Sequence, residues 1–291
     1  YTLTGDVMYI ILGHENPDVD SIVSGVLLEH YLTRQGKSAK FIIPDSELDA
    51  ESASICLAFG LDPREYQQEV PKQAEQYILV DHHERNVFGE IVGVIDHHPT
   101  MQTYTYPFYQ NENASSTACL LVKKNEEHYT KDEIELAILA TMVDTVSFHS
   151  SKTYNEDIDW VHAMCDKYGF DFSKLYQAGL SLTDVSSPKT FLTHGLKHYE
   201  FGEYKVASSY VSLSSISEKE GDIILGASYI QEYMKEKDLD EFIMIAYDMS
   251  HFTSTTFTYY PKNIVIQNYD HIVSRGRDVI PRIEEKILSK R

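Results

Sequence analysis

The chain has 291 residues, 42% hydrophobic and 24% charged, proportions that support a buried core and exclude wholesale disorder. Its 45 Asp and Glu against 25 Lys and Arg leave a formal charge of −20, which disfavours nucleic-acid backbone and anionic membrane as partners. Cys56, Cys119 and Cys165 are too scattered for a disulfide scaffold or a thiolate zinc site, and no apolar run approaches the roughly 18 residues of a membrane span. Two domains and a cytoplasmic location are expected, with residues 1–7 read as a processed, truncated or added leader outside the fold.

From Met8 the signals alternate. Tyr9-Ile10-Ile11-Leu12 suits a strand buried on both faces, and Ser21–Arg34 has helical spacing through Ile22, Val23, Val26, Leu27 and Tyr31, with Gly36 as a stop. Lys40–Pro44 predicts a second strand and Ala50–Gly60 a second helix. Gln76–Val80 and Ile91–Ile95 predict two more strands, each running into an aspartate. Residues 115–125 and 131–148 predict helices. This alternation implies an α/β fold with a mostly parallel sheet flanked by helices. Beyond a polar, Pro-containing stretch at 182–189 the pattern changes. Strands at Lys205–Leu213, Phe242–Asp248, Phe252–Tyr260 and Ile264–Gln267, with one helix near Asp222–Glu236, predict a smaller α+β domain. The two domains are expected at 8–183 and 190–291.

The chemistry gathers at three strand ends: Gly13-His14-Glu15-Asn16-Pro17-Asp18-Val19-Asp20-Ser21, Val80-Asp81-His82-His83-Glu84 and Ile95-Asp96-His97-His98-Pro99. In an open α/β sheet, ligands bind just outside the carboxyl ends of the strands. Parallel neighbours would therefore converge these groups on one crevice, with Asp144 a further contributor. Asp18, Asp20, Asp81 and Asp144 together would repel one another unless cations neutralise them, and two divalent ions would balance them. Imidazole and carboxylate without thiolate suit Mn²⁺, Fe²⁺, Co²⁺ or Zn²⁺, and the oxygen-rich balance leans toward Mn²⁺, with Mg²⁺ a further alternative. Each fragment also has a plainer reading. Asp20-Ser21 resembles a helix N-cap, Asn16-Pro17-Asp18 a turn, and Asp144 a solvated helix position. Cys119 reads as a packing residue. Ser115-Ser116-Thr117 reads equally as a cap or a phosphate-pocket lining. Tyr104–Tyr109 could line an interface or a pocket.

The Gly-His-Xaa-Asn-Pro-Asp-Xaa-Asp-Ser motif at 13–21, Val80–Glu84, Asp-His-His at 96–98, Asp144-Thr145 and Ser274-Arg275 with Pro281 resemble the DHH phosphoesterase superfamily. The resemblance is to its branch with a DHHA2 C-terminal domain, and within it to the manganese-dependent (family II) inorganic pyrophosphatases. It implies a DHH domain at 8–183 and a DHHA2-like substrate-binding domain at 190–291. His14 and Asp18 would bind one metal, Asp20, His97 and Asp144 the other, and Asp81 would bridge them. His98 would lie beside the phosphate as a hydrogen-bond donor or acid, with Lys197 and Arg275 binding substrate. The implied activity is hydrolysis of a phosphoanhydride, pyrophosphate first, by a hydroxide bridging two metals. Exopolyphosphatase or nucleotide or oligonucleotide phosphoesterase is the alternative, and a non-catalytic metal- or nucleotide-binding regulator the alternative of another class. The implied partners are a small phosphate-containing substrate and a second copy in a homodimer. Three positions depart from the family pattern: Gly276 and His149 stand where lysine is usual, and His83 where asparagine is common. Arg277 is the candidate to supply the missing cation beside Arg275.

Overall fold

Four consecutive apolar residues form β1 (Tyr9–Leu12), and all four are buried, so both faces of the strand are covered. A computed structural model describes residues 7–44, 47–71, 76–83, 87–100 and 105–289. The leader expectation therefore falls, Val7 aside, outside the described residues, as do Glu84 and Tyr104. Two compact units form: Tyr1–Phe148 with Lys152–Gly179, and His149–Ser151 with Leu180–Arg291.

In the first unit β1 is joined by β2 (Ala39–Ile42), β3 (Gln76–Val80), β4 (Glu90–Asp96) and β5 (Phe108–Asn111) in the order β2-β1-β3-β4-β5. Every pairing is parallel. The chain leaves β1 to one side to form β2, then returns to the other side for β3, which makes β1/β3 the topological switch point. Strand residues alternate between two apolar clusters: Tyr9, Ile11, Ile78 and Val80 face the helices, while Ile10, Leu12, Tyr77 and Leu79 face the opposite side with Val70, Val87, Ile91 and Tyr106.

The helices on the first side are α1 (Val19–Arg34), α2 (Ala50–Ala58), α3 (Thr117–Lys123), α4 (Lys131–Asp144), α5 (Asn155–Tyr168) and α6 (Phe172–Ala178). Helix α1 starts at Asp18, whose Oδ1 accepts from Ser21 N at 3.2 Å, so the N-cap is Asp18 and not the Asp20-Ser21 pair. It ends before Gly36, whose φ of +73° fits the left-handed stop. Helix α4 opens with a capping box between Thr130 and Glu133. It ends at Asp144, four residues short of the 131–148 expected from apolar spacing. Val146, Ser147 and Phe148 instead take φ values of +50°, +50° and +72°.

The second unit holds a five-stranded mixed sheet, taking α7 (Thr190–Thr193), β6 (Lys197–Phe201), β7 (Tyr204–Leu213), α8 (Glu220–Lys237), β8 (Glu241–Asp248), β9 (Thr253–Tyr259), β10 (Ile264–Tyr269) and α9 (Ile280–Leu288) in chain order. Its order is β10-β9-β8-β7-β6. Only β7 and β8 run parallel, and α8 is the crossover that such a pair requires. Ile223, Ile230 and Met234 of α8 pack with Phe191, Val211, Phe242 and Met244 as the core.

Candidate metal centre

The β1, β3 and β4 registers place Leu12 beside Leu79 and Val80 beside Ile95, so the residues that follow these strands emerge side by side. The loop after β1 carries His14 and the start of α1. Gly13 permits that tight passage, because a Cβ there would meet Ser21 Oγ at 2.4 Å. The end of β3 delivers Asp81 in the left-handed conformation, φ +65°, a strained geometry for a residue with a Cβ and one that gathers at functional sites. The end of β4 delivers Asp96, His97 and His98.

His14 Nε2 is 3.3 Å from Asp18 Oδ2 and 3.5 Å from Asp81 Oδ2. His97 Nε2 is 3.8 Å from Asp20 Oδ2, 3.5 Å from Asp81 Oδ1 and 3.4 Å from Asp144 Oδ2. The two oxygens of Asp81 thus face two different groups, and each group clusters its ligand atoms within 4.8 Å. His98 Nδ1 is 3.6 Å from Asp81 Oδ1.

The imidazoles are held by backbone carbonyls, which can only accept. His14 Nδ1 donates to Glu15 O at 2.8 Å and His97 Nδ1 to Ala114 O at 2.9 Å, so in the neutral rings each Nε2 keeps a lone pair toward the carboxylates. Burial, reinforced by the neighbouring His98, pushes the His97 pKa down and favours that neutral form. Asp20 is fixed at the start of α3, where its carboxylate accepts from Thr117 N at 2.7 Å and Ala118 N at 2.9 Å. Burial and then the Asp144 charge push Asp20 up to about 6. Thr117 Oγ1 donates to Asp81 Oδ1 at 3.1 Å, while Ser116 caps α3 through Cys119 N. The Ser115–Thr117 run therefore caps a helix and lines the centre together. Cys119 is fully buried, and burial holds its thiol pKa well above the ordinary value.

Whether a metal fits can be read from atoms that nothing else explains. His97 Nε2 and Asp144 Oδ2 are buried and 3.4 Å apart, yet neither makes a hydrogen bond among the described residues. Two electron-pair donors left facing each other without a proton between them suit a shared cation, and the nitrogen–oxygen donor set suits a first-row divalent ion.

Asp96 and Lys152 were assigned no role from the sequence, and His83 was marked there only as a departure beside Asp81. Asp96 lies fully buried behind the centre: its Oδ1 accepts from His97 N, His98 N and His98 Nδ1 at 2.8, 3.1 and 2.8 Å, and its Oδ2 is 2.6 Å from His83 Nδ1. Burial alone would raise its pKa, but the His98 and His83 imidazoles hold it well below the usual carboxylate range. His83 in turn meets Tyr109 Oη at 3.2 Å and Asn111 Nδ2 at 2.9 Å, which gives part of the Tyr104–Tyr109 segment a place near this network. Lys152 forms an ion pair with Asp144 Oδ1.

Lys197, Arg275 and Arg277 lie in the second unit. Lys197 opens β6 opposite Ser208. Arg275 starts a π-helical turn, Arg275–Val279, donates to Gly195 O, and sits 5.5 Å above the Tyr210 ring. Arg277 Nη1 donates to Ser151 O at 3.3 Å.

Residues 8–144 match the DHH family, N-terminal domain, a stretch that includes His14, Asp18, Asp20, Asp81, His97 and Asp144. Over nearly its full length the chain is similar to proteins named for one activity. It is 25% identical to a Bacillus pumilus protein named probable manganese-dependent inorganic pyrophosphatase, covering 96% of this chain and 98% of that one. It is 24% identical to the manganese-dependent inorganic pyrophosphatase of Methanocaldococcus jannaschii, covering 95% and 98%. A solved Methanococcus jannaschii structure, a family II inorganic pyrophosphatase candidate, shares the fold with a TM-score of 0.78 at 22% identity, covering 96% of this chain and 99% of that one. These relatives are hydrolases by name, and the chain is similar to them over nearly its whole length. Among the described residues no helix is long and apolar enough to cross a membrane.

Proposed function

We propose that the protein hydrolyses a phosphoanhydride, pyrophosphate to two phosphates, using two divalent cations, manganese foremost. The observation that carries this reading is the placement of Asp81, with one oxygen 3.5 Å from His14 Nε2 and the other 3.5 Å from His97 Nε2. His14, Asp18 and Asp81 would hold one ion, and Asp20, His97, Asp144 and Asp81 the other. The manganese named in its relatives agrees with that donor set.

Bound cations would neutralise phosphate oxygens and acidify a water for attack at phosphorus. The chain's own residues prepare the site. Backbone carbonyls orient His14 and His97, Thr117 aims Asp81, and the α3 amides fix Asp20. Asp96 keeps a proton on His98 Nδ1 and holds that ring beside Asp81, where His98 is assigned the hydrogen bond or proton to the phosphate. Lys197 and Arg275 are assigned to phosphate oxygens, with Arg277 beside them. Guanidinium grips such oxygens bidentately and ammonium as a compact charge. Such cations are needed because a chain at −20 does not attract an anion by its overall field. The DHHA2-like character of 190–291 and a homodimer, tested by mass in solution, belong to the same proposal.

Metal-stripped protein reloaded with Mn²⁺ should release phosphate from pyrophosphate. Asp81→Ala should reduce the rate by at least about a thousandfold, since it removes a ligand common to both ions. Activity retained in that variant would overturn the two-ion reading. Gly276 gives Arg275 no cationic neighbour on that side, which favours longer or differently shaped substrates as the second reading. A panel of pyrophosphate, polyphosphate and short oligonucleotides at equal Mn²⁺ separates the two.

A further inference from the structure

Strand β10 is an edge of the second unit's sheet, paired with β9 on one side and, among the described residues, with no strand on the other. Such an edge offers its outer backbone groups to any extended chain, and proteins commonly blunt that hazard with charge, proline or a bulge. The opposite edge, β6, carries Lys197 and Glu200. Strand β10 reads Ile-Val-Ile-Gln-Asn-Tyr, without charge or proline and in unbroken register with β9. Its Ile264, Val265 and Ile266 are 43%, 48% and 60% exposed.

The backbone decides how a second copy fits. Tyr260 N donates to Asn263 O at 2.8 Å, so Asn263 turns its backbone toward β9. Antiparallel pairs alternate, so Val265, Gln267 and Tyr269 do the same, while Ile264, Ile266 and Asn268 turn their N–H and C=O outward. An antiparallel partner must match outward-facing residues with outward-facing ones. The register that uses all three from both copies sets Ile264 against Asn268 of the second copy and Ile266 against itself on a two-fold axis. It also brings Lys262, in the turn before β10, to the end of the second strand where Asp270 lies, and does so twice. Lys262 is exposed, and the Asp270 side chain is fully exposed with Oδ1 2.9 Å from its own His271 Nδ1. Reversing the second strand would set like charge beside like. The side chains agree with the charges. Ile264 and Ile266 stand opposite Tyr259 and Phe257 of β9, at the margin of the apolar core that α8 covers.

We propose that β10 is an interaction surface for a second copy of this chain, joined by antiparallel edge-to-edge pairing centred on Ile266. Two five-stranded sheets then become one, and the two cores meet across the axis. The −20 charge on each copy opposes approach from a distance, but at 0.15 M salt it is screened beyond about 8 Å, whereas the Lys262–Asp270 pairs act at contact. The inference names a surface for the homodimer proposed above and is independent of the metal centre.

Mild oxidation of Ile266→Cys at 0.15 M salt tests it, since Cys56, Cys119 and Cys165 are buried. Facing residues of a hydrogen-bonded pair have Cα atoms about 5.5 Å apart, within disulfide reach, so a covalent pair of doubled mass should form. Ile264→Cys should form none, because the two copies of that position lie four residues out of register, about 14 Å apart. In the Ile266→Cys background, Lys262→Asp should slow cross-linking by about fivefold or more, and adding Asp270→Lys should restore the rate. In sedimentation velocity the wild type should associate, and Ile266→Lys should weaken that association at least about tenfold. Circular dichroism checks that each variant is folded. No cross-link from Ile266→Cys, an equal yield from Ile264→Cys, or no recovery in the charge-swapped variant would overturn the inference. A dimer unchanged by Ile266→Lys would place the second copy on another surface and overturn it too. A wild type that stays monomeric would overturn it together with the homodimer, leaving the metal centre standing.

Discussion

Changing Glu133 to Gln tests the frame that brings Asp20 and Asp144 together. Helices α1 and α4 run antiparallel, with Asp20 and Asp144 at one end of the pair and a clamp at the other. There Arg34 Nη1 and Nη2 donate to the two oxygens of Glu133, each at 3.0 Å, and His30 Nδ1 lies 2.7 Å from Oε1. The Glu133 side chain is 8% exposed. Burial would raise its pKa, but the hydrogen bonds from His30, Arg34 and Thr130 lower it from 4.5 to about 2. A carboxyl depressed on folding contributes stability above its unfolded value and loses it as the pH falls through the folded one. The contribution is about 3 kcal/mol at neutral pH, with about half remaining at pH 3 and little at pH 2. Urea unfolding followed by fluorescence reads this cleanly, because the only tryptophan, Trp160, lies buried in α5 of the same unit. Glu133→Gln should lower stability by about 2–3 kcal/mol at pH 7 and by roughly half that at pH 3. A gap that stays constant between pH 7 and pH 3, or one near zero at pH 7, would refute the clamp.

The sheet was legible where burial on both faces wrote continuous apolar runs, as in Tyr9–Leu12 and Gln76–Val80. It was not legible at β5, where Phe108-Tyr109-Gln110-Asn111 forms a partly exposed edge that carries no such run. Helices α5 and α6 were missed for a related reason. Asn155–Tyr168 buries a stripe through Asp157, Trp160, Val161, Met164 and Cys165, itself interrupted by a charge, and its other faces are largely polar. The apolar spacing of 131–148 also overran the true end of α4. Nothing in Thr-Val-Ser-Phe warns of three successive left-handed residues, and a β-branched valine argues against one.

The clustering of the candidate ligands was legible because strand-terminal Asp and His residues in a parallel sheet have only one edge to converge on. All six expected ligands lie in the three clustered groups. Asp96 was visible in its motif but not its task, since a carboxylate serving two imidazoles and two backbone amides is recognised only once its partners are known. Lys152 had no signal at all. It lies eight residues beyond Asp144, and its approach depends on the turn that the apolar pattern had hidden.

Three other outcomes follow from the same contacts. Asp96→Asn should reduce phosphate release from pyrophosphate by about 10- to 100-fold while leaving the chain folded, because His98 and His83 lose the acceptor that orients them; an unaltered rate would show that Asp96 only packs. Burial raises Cys56 to about 12 and Cys165 to about 11, and holds Cys119 well above the ordinary thiol value, so Ellman's reagent at pH 8 should label no thiol in the native protein and three in urea. Gly179→Ala should destabilise the first unit, although Gly179 has the helical φ of −72° at which alanine normally stabilises by about 0.4–1 kcal/mol. A Cβ there would stand 2.3 Å from Met142 O and 2.3 Å from Ser147 Oγ. Neither can easily retreat: Met142 O accepts from Ser147 N at 2.7 Å, and Ser147 Oγ donates to Tyr176 O at 2.5 Å. The added methyl must therefore push on the left-handed turn that follows Asp144, at an overpacking cost of about 1–3 kcal/mol. The Trp160 urea midpoint should fall, since the stability of the first unit depends on how that turn packs. A midpoint that rises instead would mean that Gly179 is free to carry a side chain and that the turn is not packed as described.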